Sequence, residues 1–440
     1  MKSLPLTVLS TLIVLLTSCD RSPPDAEHGA RSARAVEASR TTIAPDPTPA
    51  DDPLTVHEWG TFTTLQGATG GSLDGLQHET ESLPHFVHSR TAAQPSPFAV
   101  YGDTSLDVPI KHVGGKMETP VIYFYTKGRR HVRVHVDFEN GLLTQWYPNA
   151  SVASPSLGAK EASFSDIAAL TRSSLEWELD LTPAAAEAPS EMPSVEKEDP
   201  WEFARETNAD WVRNGSGEAE RYVFYRGLGR MQLPMGVMAF GSSMTVVHNK
   251  GTEPMTAAFV LEMQASGVGR FKKLEALGAG QVLSVSLGEV ALRDKEQVVA
   301  DLQGVVSAAL VAQGLYADEA RAMVRTWSRT WFASEGTRVI YMVPTKTTEA
   351  ILPMTIEPKP ASLVRVLVGR HEYLTPDAER EVAALLAKRM SSDVAVREAA
   401  MKRLAHLGRF LEPTVRRVID GGDPVVVKSG KEILASFHAR

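Results

Sequence analysis

The chain has 440 residues, 43% hydrophobic and 22% charged, with 53 acidic side chains against 46 basic ones and a formal net charge of -7. A polypeptide of this length outgrows one hydrophobic core, so more than one packed unit is expected, and the mild acidity removes the case for a nucleic-acid partner. A single cysteine, Cys19, excludes internal disulfides, cysteine–zinc sites and iron–sulfur clusters, which leaves histidine and carboxylate as the material of any metal site.

The first element is an apolar run from Leu4 to Leu16, preceded by Met1-Lys2 and closed by Leu16-Thr17-Ser18-Cys19. This is the layout of an export signal, and the run is too short to span a bilayer. Small residues directly before a cysteine resemble a bacterial lipoprotein signal. That resemblance implies cleavage before Cys19, acylation of its thiol, and a soluble domain held outside the cytoplasm at a bacterial membrane, inner or outer. Residues 1–18 are then the signal peptide and 19–53 a lipidated tether. Between Asp20 and Pro53 there is no aromatic residue and much Pro, Ala, Ser and Asp, a composition that buries too little apolar surface to fold. Its root-mean-square reach is roughly 30 to 35 Å.

From Leu54 the chain reads as short strands: 55–65, 119–126, 132–138, 142–147, 175–181, 221–225, 238–248 and 257–265. The clearest is the run in which Val132, Val134, Val136 and Phe138 alternate with His131, Arg133, His135 and Asp137, followed by Asn140-Gly141 as a hairpin turn. Near residue 294 the period changes to about 3.6. Asp294 with Gln297 reads as a capping box, opening a helix along Val298, Leu302, Val306 and Leu310. A second helix runs from about Asp318 to Phe332, with Trp327 and Trp331 on one side and Arg321, Arg325 and Arg329 in a row that reads as a solvated face. Strands return at 338–343 and 362–368. After Thr375-Pro376 the chain is helical to its end, and a faint thirty-residue repeat (Asp393/Asp423, Val396/Val426, Leu404/Leu434) resembles a HEAT-type pair. The expected architecture is α+β: an antiparallel, β-rich, sandwich-like main unit over 54–374 with two inserted helices near 295–333, then a small all-α HEAT-like cap over 375–440.

No Gly-x-Ser-x-Gly elbow, His-Glu-x-x-His or phosphate loop is present, so the common hydrolase and nucleotide-dependent classes lose their support. Histidine is unevenly spread, with seven of the twelve between residues 57 and 135. One constellation is a divalent transition-metal hydrolase in which His57, His85, His88 and Glu118 hold zinc or a similar ion and Glu58 or Glu79 acts as general base. His85 and His88 converge only if Pro84 opens a helical turn. His131 and His135 sit roughly 13 Å apart along one strand, too far to share an ion. The other candidate surface is aromatic, with Trp59 among the tryptophans and tyrosines of the strands, although core packing carries most of these residues.

Three stretches, His57-Glu58-Trp59-Gly60-Thr61-Phe62-Thr63, Glu118-Thr119-Pro120-Val121-Ile122-Tyr123-Phe124 and Glu220-Arg221-Tyr222-Val223-Phe224-Tyr225-Arg226-Gly227, resemble signature blocks of a family of exported bacterial proteins. The resemblance spans roughly residues 55 to 375 and implies export. It assigns no reaction, and it marks His57, Glu58, Glu118, Tyr225 and Arg226 as block positions without roles. The leading expectation is a lipid-anchored envelope protein that binds or scaffolds an envelope protein or glycan through Trp59, Tyr225 and Arg226, with no cofactor. The metal-dependent hydrolase is its rival.

Overall fold

The computed structural model describes residues 52–78, 83–90, 93–94, 105–106, 111–156, 166–241 and 243–437. Cys19, Glu79, the signal segment and nearly all of the tether lie outside the described residues.

The protein is α+β and β-rich. Its centre is an eleven-stranded sheet in which Ala258–Met263, Gly336–Met342, Ser362–Tyr373, Thr55–Gln66, Gly115–Met117, Val223–Gly229 and Gly141–Tyr147 follow one another. Val121–Tyr125 also pairs with both Thr55–Gln66 and Val223–Gly229. One pair is parallel: Thr55–Gln66 lies beside Ser362–Tyr373, with Trp59 opposite Val366. The first long strand and the last of the β unit are therefore neighbours, and the intervening chain is the crossover that a parallel pair requires.

Both faces of the central sheet are covered. On one side Val56, Phe62, Ile122 and Phe124 pack against Val132, Val134, Val136, Leu175 and Trp177 of a six-stranded sheet. On the other, Trp59, Tyr123, Phe259 and Ile340 pack against Val298, Leu302 and Val306 of helix α2 (Lys295–Ala312) and Met323 and Trp327 of α3 (Ala317–Trp327). Strand alternation assigns successive residues to opposite layers. The two helices expected near 295–333 are the cover of the sheet.

Four helices close the chain: Pro376–Arg389, Val394–Ala405, Leu411–Ile419 and Pro424–Phe437. The first starts at Thr375-Pro376, where the sequence marks it. Thr375 accepts from the Ala378 N–H at 3.1 Å, Asp393 from Ala395 and Val396, and Asp423 from Val425 and Val426. Val382, Leu386, Leu404, Leu411, Val415, Val426 and Ile433 form their common core.

Three local expectations fail for identifiable reasons. Asn140-Gly141 does not close a hairpin. Arg130–Glu139 pairs in the six-stranded sheet and Gly141–Tyr147 in the eleven-stranded one, so Asn140, at φ 58°, turns the chain from one sheet to the other. The burial patterns accord with this: His131 and Arg133 are exposed on the outer sheet, whereas every residue of 141–147 is buried, as in a strand covered on both faces. Asp294 makes no side-chain cap, because its backbone is held opposite Val268 in a short strand. The apolar run 238–248 is two strands, Met235–Phe240 and Met244–Asn249, folded about Gly241 at φ 69°.

Candidate functional site

The three stretches singled out in the sequence meet at one place. Trp59 from the first, Glu118, Thr119 and Val121 from the second, and Tyr222, Phe224 and Arg226 from the third line a cleft of about 450 Å³. Trp201, Phe203, Arg325, Trp327, Arg329, Trp331 and Arg409 also line it, together with Glu196, Lys197, Glu198 and Asp199. The strands place these side chains by alternation. Trp59, Val121 and Phe224 belong to the helix-covered face, and Glu58, Ile122 and Tyr225 point into the sandwich.

Glu118 is the polar centre of the cleft. Its carboxylate accepts from the Thr63 hydroxyl at 2.7 Å, from Trp331 Nε1 at 3.2 Å and from Arg409 Nη1 at 2.6 Å. Burial by itself would push the Glu118 carboxyl up, but Arg409, Arg370, Lys116 and the Thr63 hydroxyl together hold it at about 2. A carboxylate so firmly ionised is a poor general base near neutral pH; its chemistry here is to fix Arg409 and the Trp331 indole. Behind it, Arg370 lies between the rings of Trp331 and Phe410 at 5.5 Å from each. Burial, reinforced by Arg338 and Arg409 against the pull of Glu372, brings the Arg370 guanidinium down to about 10.

The aromatic wall has its own local cause. Helix α3 ends at Trp327 and continues as a π-helical turn, Ser328–Phe332, a rare conformation that recurs at functional sites. Trp327 and Trp331 stack at 4.7 Å and 10°. Trp331 donates to Glu118, whereas the buried Trp327 Nε1 and Arg370 Nη1 have no acceptor among the described residues. Trp201 enters from helix α1 (Pro200–Ala204), capped by Asp199. At the rim, the Arg325 guanidinium lies 4.1 Å over Phe203 and pairs with Glu206, and Arg329 stands 3.6 Å from Glu198. The arginine row expected to be only a solvated face thus sends two of its members to the cleft.

The hydrolase constellation is not assembled among the described residues, where no three His, Cys, Asp or Glu side chains are placed to hold one ion. Each candidate ligand has a separate partner. His57 Nδ1 is 2.8 Å from Glu319, which also accepts from Tyr125 at 2.6 Å. His88 pairs with Glu218 at 2.7 Å, on a short strand beside Trp146. His85 sits in the turn after Pro84, 5.9 Å from the Phe86 ring, and Pro84 opens no helix that would bring it to His88. Glu118 is engaged by Arg409. Glu58, offered as a general base, is fully buried on the sandwich side, accepting from Tyr225 and from Arg365 Nε at 2.6 Å.

Of the three expected binding residues, Trp59 and Arg226 line the cleft and Tyr225 does not. Its hydroxyl donates to Glu58, and burial together with that carboxylate pushes the phenol far above its ordinary range. Sequence reasoning missed Trp201, Trp327, Trp331, Arg370 and Arg409 as site residues. The tryptophan pair was visible as one side of a helix; nothing in the sequence ties Arg409 to Glu118.

No protein-family model matches this chain, and no curated protein is similar to it at a significant level. Among solved structures, the yeast delta-COP-I mu-homology domain aligns at a TM-score of 0.25 and 6% identity, covering 74% of this chain and 100% of that one. The same domain complexed with a Dsl1 WxWxV peptide aligns at a TM-score of 0.26 and 6% identity, covering 73% and 98%. Likeness at this level carries no functional argument.

Proposed function

We propose that this protein is a lipid-anchored binding module of the bacterial cell envelope, belonging to the exported family its three blocks resemble, and that the Trp59–Glu118–Arg226 cleft is its ligand site. The observation that carries the reading is convergence. Three stretches separated by scores of residues, together with Arg409 from the terminal helices, spend their aromatic and cationic side chains on one cavity. A cavity of about 450 Å³ is the size of a small-ligand site rather than a flat protein interface. Its lining combines ring faces with five cations, Lys197, Arg226, Arg325, Arg329 and Arg409, against four carboxylates, Glu118, Glu196, Glu198 and Asp199; the stacking faces and the small cationic excess suit an acceptor-rich, anionic ligand and favour an acidic envelope glycan over a protein partner.

The test uses residues 45–440, a compact unit that retains every core described above. Tryptophan fluorescence is followed during titration with a carboxylated amino-sugar disaccharide and, in parallel, with its neutral counterpart. Saturable quenching by the acidic sugar, weakened at least tenfold in Arg226→Gln and in the exposed Arg329→Ala, supports the reading. Equal response to both sugars, or none to either, removes the acidic-glycan assignment.

A further inference from the structure

The mouth of the cleft is crossed by a segment whose hold on the far side is slight. Between strand Arg172–Thr182 and helix α1 the chain runs as turns and irregular backbone. That stretch is longer than the roughly 12 to 15 residues usual for such a connection, and connections of this length commonly serve as binding loops or lids. Its last turn lies on the cleft, where Glu196, Lys197, Glu198 and Asp199 form part of the lining. The near side is fixed. Val195 packs against the helix-side core, the Pro193 carbonyl accepts from Arg205 Nη2 at 2.9 Å, and Asp199 caps α1 through the Trp201 N–H. Between these anchors Glu198 sits at φ 67°, a left-handed conformation that costs a non-glycine residue energy and that clusters at ligand clamps and switch regions. Its N–H donates to Glu202 Oε2 at 2.8 Å, and its carboxylate reaches across to the π-helical turn, 3.6 Å from Arg329 Nη2.

The arginines of the lining are not equally committed. Arg409 is buried against Glu118, Arg226 donates to Gln145, and Arg325 pairs with Glu206 while lying 4.1 Å over Phe203. Arg329 faces Glu198 beyond hydrogen-bonding distance, with 69% of its own side chain exposed and 54% of its partner's. An ion pair so exposed contributes little, and one carboxylate there exchanges readily for another. We propose that Glu198 is an internal stand-in for the ligand's acid group: in the free protein it clasps segment 193–199 to Arg329 across the mouth, and an acidic ligand enters by taking Arg329 from it. The inference rests on the acidic-ligand reading of the cleft and assigns Glu198 to the regulation of that site. Because the competing carboxylate is tethered, it acts at a high effective concentration. Every acidic ligand therefore binds more weakly than the cleft itself would allow.

The test again uses residues 45–440 and the carboxylated amino-sugar disaccharide. Glu198→Gln, which keeps the shape of the side chain and removes its charge, should bind the acidic sugar about three- to fivefold more tightly than wild type. Two controls separate exchange at Arg329 from the plain loss of a negative charge. Glu196→Gln, at an exposed carboxylate of the same lining, should leave affinity within a factor of about 1.5 at physiological ionic strength, where an exposed charge is screened. In an Arg329→Ala background, Glu198→Gln should have no effect. The clasp also reads out without ligand: amide hydrogen exchange over residues 193–199 should be about threefold faster in Glu198→Gln than in wild type. Unchanged affinity in Glu198→Gln, an equal gain in Glu196→Gln, or a gain that persists beside Arg329→Ala would each overturn the proposal. A wild type that binds neither sugar fails the acidic-glycan reading instead, and the clasp is then decided by hydrogen exchange, where equal rates overturn it.

Discussion

Arg409 Nη1 lies 2.6 Å from Glu118 Oε1 across 291 residues of sequence, and this pair joins the terminal helices to the floor of the cleft. Both side chains are largely buried, so each is the other's principal compensation for leaving water. Removing one partner strands the other. We expect Arg409→Met or Glu118→Gln to lower unfolding free energy by about 3 kcal/mol. The double variant should cost clearly less than the sum of the two, the signature of direct coupling. Urea denaturation of all four proteins checks this.

Stability should fall in two acid steps. Burial, with Lys250 adding to it, depresses the His371 imidazole to about 3, so it is neutral when folded. Its contribution is intact above its ordinary value of 6.5 and is lost as pH falls from there toward 3. Glu118, held at about 2 against an ordinary 4.5, keeps its contribution above 4.5 and loses it between 4.5 and 2, on the order of 3 kcal/mol in all. Thermal melts between pH 8 and 3 should show the first decline flattened in His371→Gln and the second flattened in Glu118→Gln.

Adjacent residues on one strand should separate stability from binding. Tyr225 is sealed against Glu58 and Arg365 on the sandwich side, while Arg226, also buried and donating its Nε to Gln145, lines the cleft. Tyr225→Phe should cost about 1 to 3 kcal/mol of stability and leave affinity for the acidic disaccharide within a factor of two. Arg226→Gln should weaken that affinity at least tenfold, in addition to the stability lost with its buried hydrogen bond to Gln145. Glu58→Ala, which leaves the Arg365 guanidinium buried without its carboxylate, should cost about 3 to 5 kcal/mol. A denaturation series run beside ligand titrations decides all three.

Gly60 has a steric explanation. A Cβ there would stand 2.8 Å from Leu367 Cδ2 and 2.9 Å from the Pro120 Cα, and the second of these is backbone. Gly60→Ala should therefore destabilise by about 1 to 3 kcal/mol through overpacking. Retention of the wild-type urea midpoint would show that the strand can shift to make room.

What could be read in advance was whatever depends on local pattern. Alternating Val132, Val134, Val136 and Phe138 announced a half-buried strand, and Thr375-Pro376 announced a helix start, because each is settled within a few neighbouring residues. Even the opposed directions of His57 and Glu58 follow from strand periodicity. The clustering of histidine misled, because composition carries no distance. His57, His88 and His78 each found a different carboxylate, in Glu319, Glu218 and Glu412. Asn140-Gly141 misled in the same way, since a turn signature fixes local φ and not which sheet receives the next strand.

The sequence by itself determined the class of the protein: strand and helix periods, the Thr375 cap, the single cysteine and the three stretches worth watching. Tertiary structure alone decided which faces those stretches share. It placed Trp59, Glu118 and Arg226 together with Trp327, Trp331 and Arg409, and turned Glu58 and Tyr225 inward. The physical reason is that side-chain direction is a local property of the backbone, whereas coincidence in space depends on how sheets and helices stack across hundreds of residues.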